Sequence, residues 1–371
     1  MRVVYVSPHA TRGGAERVTM DLVTLHRHSE VDPVVLFLRT GPLVEELRRL
    51  GIQTEILVAP AMRNVLAAER TKRVLAQRLQ ALKPDLVHAV MAWGHGYGGA
   101  AAALAKIPAV WFQHDVPNFR RPESLLAALT PARRILANSA LTANAQHRFN
   151  PRRIRIEVVH PGTRLPKEPR QVRRRRGRAG LGFGDSEFVV GMVARLARGK
   201  GHPTLLHAFK SVYAARKDAR LVIAGGTPFG LDPGYPVELE RLAASLGIAD
   251  RVRFTGHTEA GTDVISALDA VVHVPDGPES FGLAVIEAMA AGTAVVAADA
   301  GAVREIVEPG VTAMLVAPGD HESLATALLA LHDDPGFRER MAEAGEGAAR
   351  THFDATEMTR RVEAIYREAL A

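Results

Sequence analysis

The stretch AVVHVPDGPESFGLAVIEAMAAGTAVVAAD, residues 270–299, has two short β-branched runs on either side of a segment with helical spacing. Both runs are apolar at consecutive positions, which is typical of strands buried on both faces of a parallel sheet. Gly277 and Pro278 predict a loop after the first run, and the helix is expected to begin near Gly282. A strand, a helix and a second strand in this order predict a parallel α/β sheet.

The same alternation of strand-like runs and helical segments extends along the chain and restarts near residue 187. The first series consists of RVVYVS (2–7), PVVLFL (33–38), TEILV (54–58), DLVHAV (85–90), PAVWFQ (108–113), RRILA (133–137) and RIEVV (155–159). The second consists of EFVVGMVA (187–194), ARLVIAGG (219–226), RVRFTG (251–256), AVVHVP (270–275), AVVAAD (294–299) and TAMLVAP (312–318). Two such series predict two doubly wound domains.

The expected boundaries follow from composition. We predict an N-terminal domain over 1–165, a basic linker over 166–186 and a C-terminal domain over 187–352. The linker is rich in Pro, Gly and Arg and has no apolar periodicity, so its Arg173–Arg176 run is expected to be a solvated loop. The tail 353–371 has helical spacing and is expected to pack back on the N-terminal domain.

The bulk composition excludes several classes of protein. The chain has 371 residues, 47% of them apolar, and no cysteine, so disulfides and thiolate zinc sites are excluded. No apolar run approaches the roughly 20 residues that cross a bilayer. The N-terminal MRVVYVSPHA is interpreted as a strand because a signal peptide needs a longer apolar stretch. These features predict a cytoplasmic enzyme of two domains.

The charge is unevenly distributed. Residues 1–187 carry 30 Lys and Arg against 15 Asp and Glu, whereas residues 188–371 carry 17 against 25. Such asymmetry favours an anionic partner for the N-terminal half, such as a membrane surface, a phosphorylated acceptor or nucleic acid. A solvated, arginine-rich surface without a partner is the alternative, and the sequence leaves both open.

Glycine-bearing loops precede two of the predicted helices. Gly13 and Gly14 follow the first strand, and the helix after them offers free amides and a positive dipole end, which suit phosphate. Arg195 and Lys200 follow the first strand of the second series and are placed to neutralise a diphosphate. Gly201 follows this lysine in place of Ser or Thr, so the ATP-binding P-loop pattern fails.

Two glutamates of the opening stretch are candidates for binding hydroxyl groups. Glu279 is expected on the loop before the helix, where a carboxylate can accept hydrogen bonds from a sugar. Glu287 is expected inside the helix, where it can take the two adjacent hydroxyls of a ribose. A charge in such an apolar segment is costly unless it is bonded. The backbone amides near Phe281, Gly282 and Leu283 are expected to hold a phosphate.

The two glutamates, eight positions apart within PESFGLAVIEAMAAG, resemble the signature of the retaining glycosyltransferases of family 4, which have the GT-B fold. The similarity extends over most of the chain. Further segments that carry it are GGAERV (13–18), ANSA (137–140), GMVARLARGKGHPTLLHAF (191–209), IAGG (223–226), VRFTGH (252–257) and GAVREIVEPGVTAMLVAPGD (301–320). The resemblance implies two Rossmann-like domains that face a cleft, with the acceptor on the N-terminal side.

The resemblance implies a nucleoside-diphosphate sugar, of the UDP or GDP type, as donor, and no cofactor or bound metal. The implied diphosphate contacts are Gly13, Gly14, Arg195, Lys200, Ser280, Phe281, Gly282 and Leu283. Glu287 is implied to hold the ribose, Glu279 the donor sugar, and the segment around Phe254 the base. His114, in the sequence QHD, is implied to lie near the donor sugar, and Asp115 is a weaker candidate. His114, Arg195, Lys200 and Glu279 are the implied catalytic residues.

The sequence departs from the family pattern at two places. Thr163 and Arg164 stand in HPGTRLP, where the family often has a Pro-Asn-Gly-Val-Asp turn, and Ala302 replaces the second glycine of a usual Gly-Gly pair. The first departure affects a turn that is mostly structural. Neither replaces an implied site residue.

The acceptor is not defined by the sequence, since a polysaccharide, a lipid-linked acceptor and a small molecule are all compatible with a hydroxyl acceptor. A basic N-terminal half is compatible with peripheral contact with an anionic membrane. Two alternatives to glycosyl transfer stay open. One is a GT-B relative that epimerises or phosphorolyses sugars. The other is a nucleic-acid-binding protein built on the Arg173–Arg176 run, although we expect no specific nucleic acid as a partner.

Overall fold

The structure is a computed structural model that describes residues 1–118, 122–150, 154–227, 232–258 and 261–371. The chain divides into two compact units. Unit 1 comprises Met1–Gly162 and Ala355–Ala371, and unit 2 comprises Thr163–Asp354.

Unit 1 contains, in the residues that the structure describes, a seven-stranded parallel sheet with the order β3-β2-β1-β4-β5-β6-β7. Its strands are β1 Arg2–Ser7, β2 Asp32–Phe37, β3 Gln53–Ile56, β4 Leu86–Val90, β5 Ala109–Gln113, β6 Arg134–Ala137 and β7 Ile156–Val158. Its helices are α1 Gly14–Leu25, α2 Leu43–Arg49, α3 Val65–Leu82, α4 Met91–Ala105, α5 Pro122–Leu129, α6 Ala140–His147 and the C-terminal α14 Ala355–Leu370.

Helix α14 is tied to the unit 1 sheet by a buried polar network. The Tyr366 hydroxyl lies 2.8 Å from the Tyr5 hydroxyl on β1, and His88 Nδ1 on β4 lies 2.5 Å from the same Tyr366 oxygen. The Tyr5 oxygen is 2.7 Å from His26 Nε2, and His26 Nδ1 is 2.9 Å from Glu363 of α14. Buried polar groups are stabilising only when they are bonded in this way, so the network fixes where α14 packs.

Unit 2 contains, among its described residues, a six-stranded parallel sheet with the order β10-β9-β8-β11-β12-β13. Its strands are β8 Phe188–Val193, β9 Ala219–Ala224, β10 Val252–Gly256, β11 Ala270–His273, β12 Ala294–Ala298 and β13 Met314–Val316. Its helices are α7 Arg170–Leu181, α8 His202–Ala215, α9 Tyr235–Ser245, α10 Gly261–Ala267, α11 Leu283–Ala290, α12 His321–Asp333 and α13 Pro335–His352.

The unit 2 sheet is buried on both faces. Val190 and Val272 belong to one apolar cluster, whereas their neighbours Val189 and Val271 belong to the cluster on the opposite face. Side chains alternate between the faces of a strand, so continuous apolar strands require helices on both sides. The predicted α/β fold of two doubly wound sheets is therefore confirmed, and each predicted strand-like run contains a strand.

The prediction of a linker over 166–186 with a solvated arginine run is wrong. Residues Arg170–Leu181 form helix α7 within unit 2. Arg173 and Arg178 are buried, and Arg173 donates to the Ser266 hydroxyl at 2.6 Å. The pattern was missed because arginine counts as polar in a periodicity test, whereas its aliphatic stem packs like an apolar side chain.

A buried carboxylate explains why α7 carries so many arginines. Asp269, directly before β11, accepts from Arg178 at 2.7 Å and from Arg174 at 2.8 Å. The backbone N–H of Val189 on β8 donates to the same carboxylate at 2.7 Å. Two guanidinium groups and one amide therefore satisfy the buried charge, and they join α7 to the edge of the sheet where β8 begins.

None of the helices in the described ranges is long and apolar enough to cross a membrane.

Candidate functional site

The strand order of each unit reverses at a definite place. In unit 2 the reversal lies between β8 and β11, and in unit 1 between β1 and β4. In open parallel sheets, ligands bind outside the carboxyl ends of the strands at such a switch point. In unit 2 the loops that follow β8 and β11 carry the residues predicted to bind the diphosphate and the sugar.

The loop after β8 packs directly on the loop after β11. Gly201 has a φ of +80°, and a Cβ placed there would lie 1.8 Å from the carbonyl oxygen of Val274. The N–H of Asp276 donates to the carbonyl oxygen of Gly199 at 3.0 Å. Only glycine permits this close approach of two backbones, so the glycines of GKGH fix the geometry of the loop.

The loop after β12 holds the backbone of Glu279. A Cβ at Gly301, which has a φ of +68°, would lie 2.2 Å from the Glu279 carbonyl oxygen. The N–H of Ala302 donates to that oxygen at 3.0 Å. Ala302, the departure from the family Gly-Gly pair, thus keeps its backbone bond to the site. Movement of Glu279 is therefore confined mainly to its side chain.

Lys200 and Glu279 form an ion pair in the centre of the unit 2 site. Lys200 Nζ lies 2.8 Å from Oε2 and 3.1 Å from Oε1 of Glu279. Burial by itself would raise the pKa of Glu279, but the His273 ring, when protonated, and the cations of Lys200 and Arg195 hold it below its ordinary value. Glu279 is therefore ionised at neutral pH and the two charges balance each other.

Arg195 is the exposed cation of the site. In the described part of the chain its guanidinium makes no hydrogen bond or ion pair, and it is close enough to act electrostatically on Glu279. Arg198, three residues along the same loop, is instead paired with Asp232 and Glu238 at 2.8 Å each. Arg195 is therefore available to an anionic ligand, whereas Arg198 is not.

Two helices begin at the same switch point. Gly201 is the N-cap of α8 and Gly282, with a φ of +113°, is the N-cap of α11. Neither N-terminus has a side-chain cap among the residues that the structure describes. The first amides of such helices carry partial positive charge, and together with Arg195 and Lys200 they favour an anion at this place.

The remaining predicted residues of unit 2 contribute in different ways. Phe281 is buried and packs edge-on against Phe353, so its side chain belongs to the core of unit 2. Ser280 and Leu283 are half-buried beside it, and Glu287 is half-buried on α11 as expected. Phe254 is partly buried and packs against the core of unit 2.

In unit 1, the predicted phosphate contact at Gly13 and Gly14 has an anionic neighbour. Gly13 is the N-cap of α1, with extended backbone and no side-chain cap among the described residues. A Cβ placed at Gly13 would lie 2.3 Å from Oε2 of Glu16, which is itself buried. A carboxylate of the chain therefore lies next to this helix N-terminus, where a phosphate was expected.

His114 lies in the loop directly after β5. Its side chain is buried against Phe112, with 4.2 Å between ring centroids, and burial lowers its pKa to about 3. The histidine is therefore neutral at physiological pH. Nearby Ser139 caps α6 by accepting from the Thr142 N–H, which is a structural role and not that of a nucleophile.

A cavity of about 540 Å³ opens at the switch point of unit 1. Its lining comes from the segments that follow β1, β2, β3, β4 and β5, with part of α5. The lining residues used below are His9, Arg39, Arg63, Met91, Trp93 and Gln113. Asp115, the weaker sequence candidate, also lines it.

The cavity carries two cations that make no ion pair with any described residue, and one residue with a strained backbone. Arg39 lies over the Trp93 ring, 5.0 Å from its centroid, and neither Arg39 nor Arg63 has an ion pair in the described part of the chain. The Oε1 atom of Gln113 is buried and accepts no hydrogen bond from any described residue. Met91 has a φ of +60°, which is unusual outside glycine and is concentrated at functional positions.

Sequence reasoning missed the cavity residues and one residue of the unit 2 site. His273, the last residue of β11, lies with Nε2 3.7 Å from Oε2 of Glu279. The signal that could have found it is its position, because it ends a strand beside the switch point. The same signal applies to Arg39, which follows β2, and to Trp93, which follows β4.

Comparisons with known proteins agree with this geometry. A family profile described as Glycosyl transferases group 1 matches residues 174–348, and one described as Glycosyltransferase Family 4 matches residues 12–167. D-inositol 3-phosphate glycosyltransferase 1 of Catenulispora acidiphila is 34% identical over 77% of this chain and 72% of its own length. D-inositol 3-phosphate glycosyltransferase of Streptomyces avermitilis is 33% identical over 71% of this chain and 57% of its own length.

The fold has relatives among solved structures. Anabaena HepE in complex with UDP and glucose superimposes with a TM-score of 0.87 at 25% identity, over 98% of this chain and 99% of that one. Two doubly wound parallel-sheet units, together with these matches, define a glycosyltransferase of the GT-B fold. The chain belongs to glycosyltransferase family 4.

Proposed function

We propose that the protein transfers a hexose-type sugar from a nucleoside-diphosphate sugar to a hydroxyl acceptor, without a metal ion and with retention of the anomeric configuration. The observation that carries the proposal is the unit 2 switch point, where Lys200 and the N-termini of α8 and α11 lie near Arg195, which makes no ion pair with any described residue. The solved complex of Anabaena HepE with UDP and glucose supports a UDP-type donor.

The leaving diphosphate sets the main chemical requirement. Its negative charge grows as the glycosidic bond breaks, and prearranged cations and amides stabilise that charge before any solvent has to reorganise. Arg195 and Lys200 supply the cations, and each such donor lowers a barrier by about 2–4 kcal/mol by analogy with oxyanion holes. This arrangement supports catalysis without a metal. We expect the rate of sugar transfer to be unchanged in excess EDTA.

The two glutamates bind the two sugar rings of the donor. Glu279 sits on the loop before α11 and accepts hydrogen bonds from the donor sugar once Lys200 turns to the phosphate. Glu287, one and a half turns into α11, takes the two ribose hydroxyls. A carboxylate has four lone-pair sites, so each can bind adjacent hydroxyls.

Retention follows if the acceptor attacks the face from which the diphosphate leaves. The acceptor hydroxyl forms the new bond to the anomeric carbon, the bond to the phosphate oxygen breaks, and that oxygen takes the acceptor proton. No protein nucleophile is needed for this route. NMR of fresh product should show the anomeric configuration of the donor, and an inverted product would exclude the route.

The acceptor is proposed to bind in the unit 1 cavity and to be a polyol that carries a phosphate. Arg39 and Arg63 make no ion pair with any described residue, and guanidinium groups bind phosphate through paired N–H donors. Gln113 Oε1 accepts no hydrogen bond from a described residue, so it can accept one from a hydroxyl. The two curated relatives are named for D-inositol 3-phosphate. Inositol phosphates and sugar phosphates should therefore be accepted, and the matching unphosphorylated polyols should not.

Contact with an anionic membrane is proposed at helix α5. Leu125, Leu126 and Leu129 are 49%, 44% and 73% exposed, on the helix that also contributes Glu123 and Ser124 to the cavity. Exposed leucines on a helix of the basic N-terminal half favour an interfacial location. The chain should sediment with phosphatidylglycerol vesicles at low salt, and Leu126→Ser with Leu129→Ser should reduce this. Equal sedimentation of the double variant would exclude α5.

The roles of Gly13, Gly14 and His114 toward the donor, and of β10 around Phe254 toward the base, stay predictions. The Glu16 carboxylate beside Gly13 weighs against a phosphate there. The nucleic-acid alternative loses its main support, because Arg173 of the run is buried and Arg174 and Arg176 pair with Asp269 and Asp263.

A thermal-shift panel tests the proposed function. UDP, GDP, UDP-glucose, UDP-N-acetylglucosamine and GDP-mannose are added to the whole chain and to Arg195→Ala and Arg198→Ala variants. A ligand at about 100 times its dissociation constant stabilises the folded state by about 2.7 kcal/mol. At least one nucleotide should stabilise the unchanged chain and Arg198→Ala, and Arg195→Ala should lose most of the effect. No shift with any nucleotide would contradict the proposal.

A further inference from the structure

His273 occupies a buried position beside the ion pair of the unit 2 site. Its side chain ends β11, and Nε2 lies 3.7 Å from Oε2 of Glu279, which is beyond hydrogen-bond distance. Nε2 is buried and has no hydrogen-bond partner among the described residues. A buried polar atom without a partner is rare and costly, so its retention needs an explanation.

The proposed function makes two demands on Lys200 that conflict. In the structure both hydrogen bonds from Nζ to the Glu279 carboxylate are made. When a diphosphate is bound, the ammonium group has to turn toward phosphate oxygens. Glu279 is then left as a largely buried carboxylate that has lost its charge-assisted partner, which is strongly unfavourable.

The surroundings leave room for Glu279 to move toward His273. Its backbone is held by Ala302, so the displacement falls on the side chain. A Cβ placed at Gly282 would lie 3.8 Å from His273 Nε2, and the absence of a side chain there keeps this space open. A shift of less than about 1 Å would bring Oε2 and Nε2 to hydrogen-bond distance.

We propose that His273 is a positioning residue that replaces Lys200 as the hydrogen-bond donor to the Glu279 carboxylate when Lys200 turns to the donor diphosphate. The Nε2–H of the neutral ring donates to Oε2, and the second carboxylate oxygen is left for the sugar hydroxyls. The inference rests on the proposed function of this site. Burial lowers the pKa of His273, the Glu279 carboxylate opposes this and Lys200 adds to it, so the ring is neutral at physiological pH.

The test measures binding of both donor ligands, since Lys200 is proposed to turn to the diphosphate of each. Dissociation constants of UDP and of the nucleotide sugar with the largest thermal shift are measured for the unchanged chain, His273→Asn, His273→Gln and the control His207→Asn. The Gln amide nitrogen reaches about as far as Nε2, whereas that of Asn reaches only as far as Nδ1. His207 is half-buried on α8 against His321 and touches none of the site residues named above.

His273→Asn should weaken the binding of UDP and of the nucleotide sugar by about tenfold each, the effect of one hydrogen bond to a charged group, because Lys200 turns to the diphosphate in both complexes. His273→Gln should recover most of that loss, and His207→Asn should match the unchanged chain. Equal behaviour of the Asn and Gln variants would overturn the role of His273. If the unchanged chain binds no nucleotide, the proposed function itself fails.

Ring NMR of the unsubstituted chain gives a second measurement, which holds even if His273→Asn does not fold. The His273 signals are assigned from their loss in His273→Gln. Saturation with UDP should move the Nε2–H proton downfield as its hydrogen bond to Glu279 forms. An unchanged His273 signal at saturating UDP would overturn the proposal.

Discussion

Lys200 and Glu279 form an ion pair across the carboxyl ends of β8 and β11, with Nζ 2.8 Å from Oε2. The two residues are 79 positions apart in the sequence, yet both belong to loops whose backbones are locked by glycines. The sequence assigned one to phosphate and the other to sugar. The structure shows that they pair with each other, so the proposed function predicts that donor binding rearranges the pair.

Replacing Lys200 by Met should weaken UDP binding by about tenfold or more, because a charge-assisted bond to phosphate is lost. Arg198→Met is the matched control on the same loop, since Arg198 already pairs with Asp232 and Glu238. Calorimetry with UDP measures both. Equal weakening by the two substitutions would mean that general positive charge, and not the position of Lys200, matters.

Glu279 and Glu287 should respond to different parts of the donor. Glu287→Gln should weaken UDP and should remove the preference for UDP over 2′-deoxy-UDP, because one ribose hydroxyl is absent from the latter. Glu279→Gln should leave UDP binding within about threefold and reduce the extra affinity of the nucleotide sugar by about tenfold. Binding constants for the three ligands decide this. If Glu287→Gln, and not Glu279→Gln, lost the extra affinity for the nucleotide sugar, the roles assigned to the two glutamates would be reversed.

Arg178→Ala should destabilise unit 2 by about 3–5 kcal/mol, because it leaves the buried Asp269 carboxylate with an incomplete set of partners. Arg175→Ala, on the exposed side of the same helix, should change the free energy of unfolding by less than about 0.5 kcal/mol. Urea unfolding followed by circular dichroism compares the two. Similar stability of both variants would show that the arginine run is only a solvated surface.

Stability should fall with acid because of buried neutral histidines. Burial lowers the pKa of His95 to about 4 and that of His114 to about 3, against about 6.5 in an unfolded chain. Between the folded and unfolded pKa values the unfolded chain binds more protons than the folded chain. The free energy of unfolding is therefore undiminished above pH 6.5, and it falls as the pH drops toward 4 for His95 and toward 3 for His114. Each group contributes a slope of about 1.4 kcal/mol per pH unit.

His95→Phe isolates one of these groups. Phe keeps an aromatic ring against Trp111, on which His95 stacks at 4.7 Å, and removes the titration. The free energy of unfolding of the variant should depend less steeply on pH between 6.5 and 4 and should run parallel to that of the unchanged chain above pH 7. An identical slope in the acid range would contradict the low pKa of His95.

Much of the fold could be predicted from local pattern. Strands such as Arg2–Ser7 and Ala270–His273 are continuous apolar runs, and burial on both faces leaves them no other arrangement. Helix α7 could not be predicted in this way, because its buried positions are arginines whose partner, Asp269, lies far away in sequence. A local sequence pattern cannot show a contact with a residue that is distant in sequence.

The candidate site shows the same division. The chemical types at Arg195, Glu279 and Glu287 and their position after strands indicate a donor site, and the family resemblance gives each a role. His273 was missed because a histidine that ends a strand looks like a core residue until its distance to Glu279 is known. The unit 1 cavity was missed for a related reason, since its lining comes from six separate segments.

The most direct measurement is a crystal structure of the whole chain with bound UDP. The account predicts the diphosphate at the switch point of unit 2, within hydrogen-bond distance of Arg195 and Lys200, with the ribose hydroxyls on Glu287 and the Lys200–Glu279 pair opened. A nucleotide bound away from these residues, or bound with the Lys200–Glu279 pair intact and the phosphates in solvent, would contradict it.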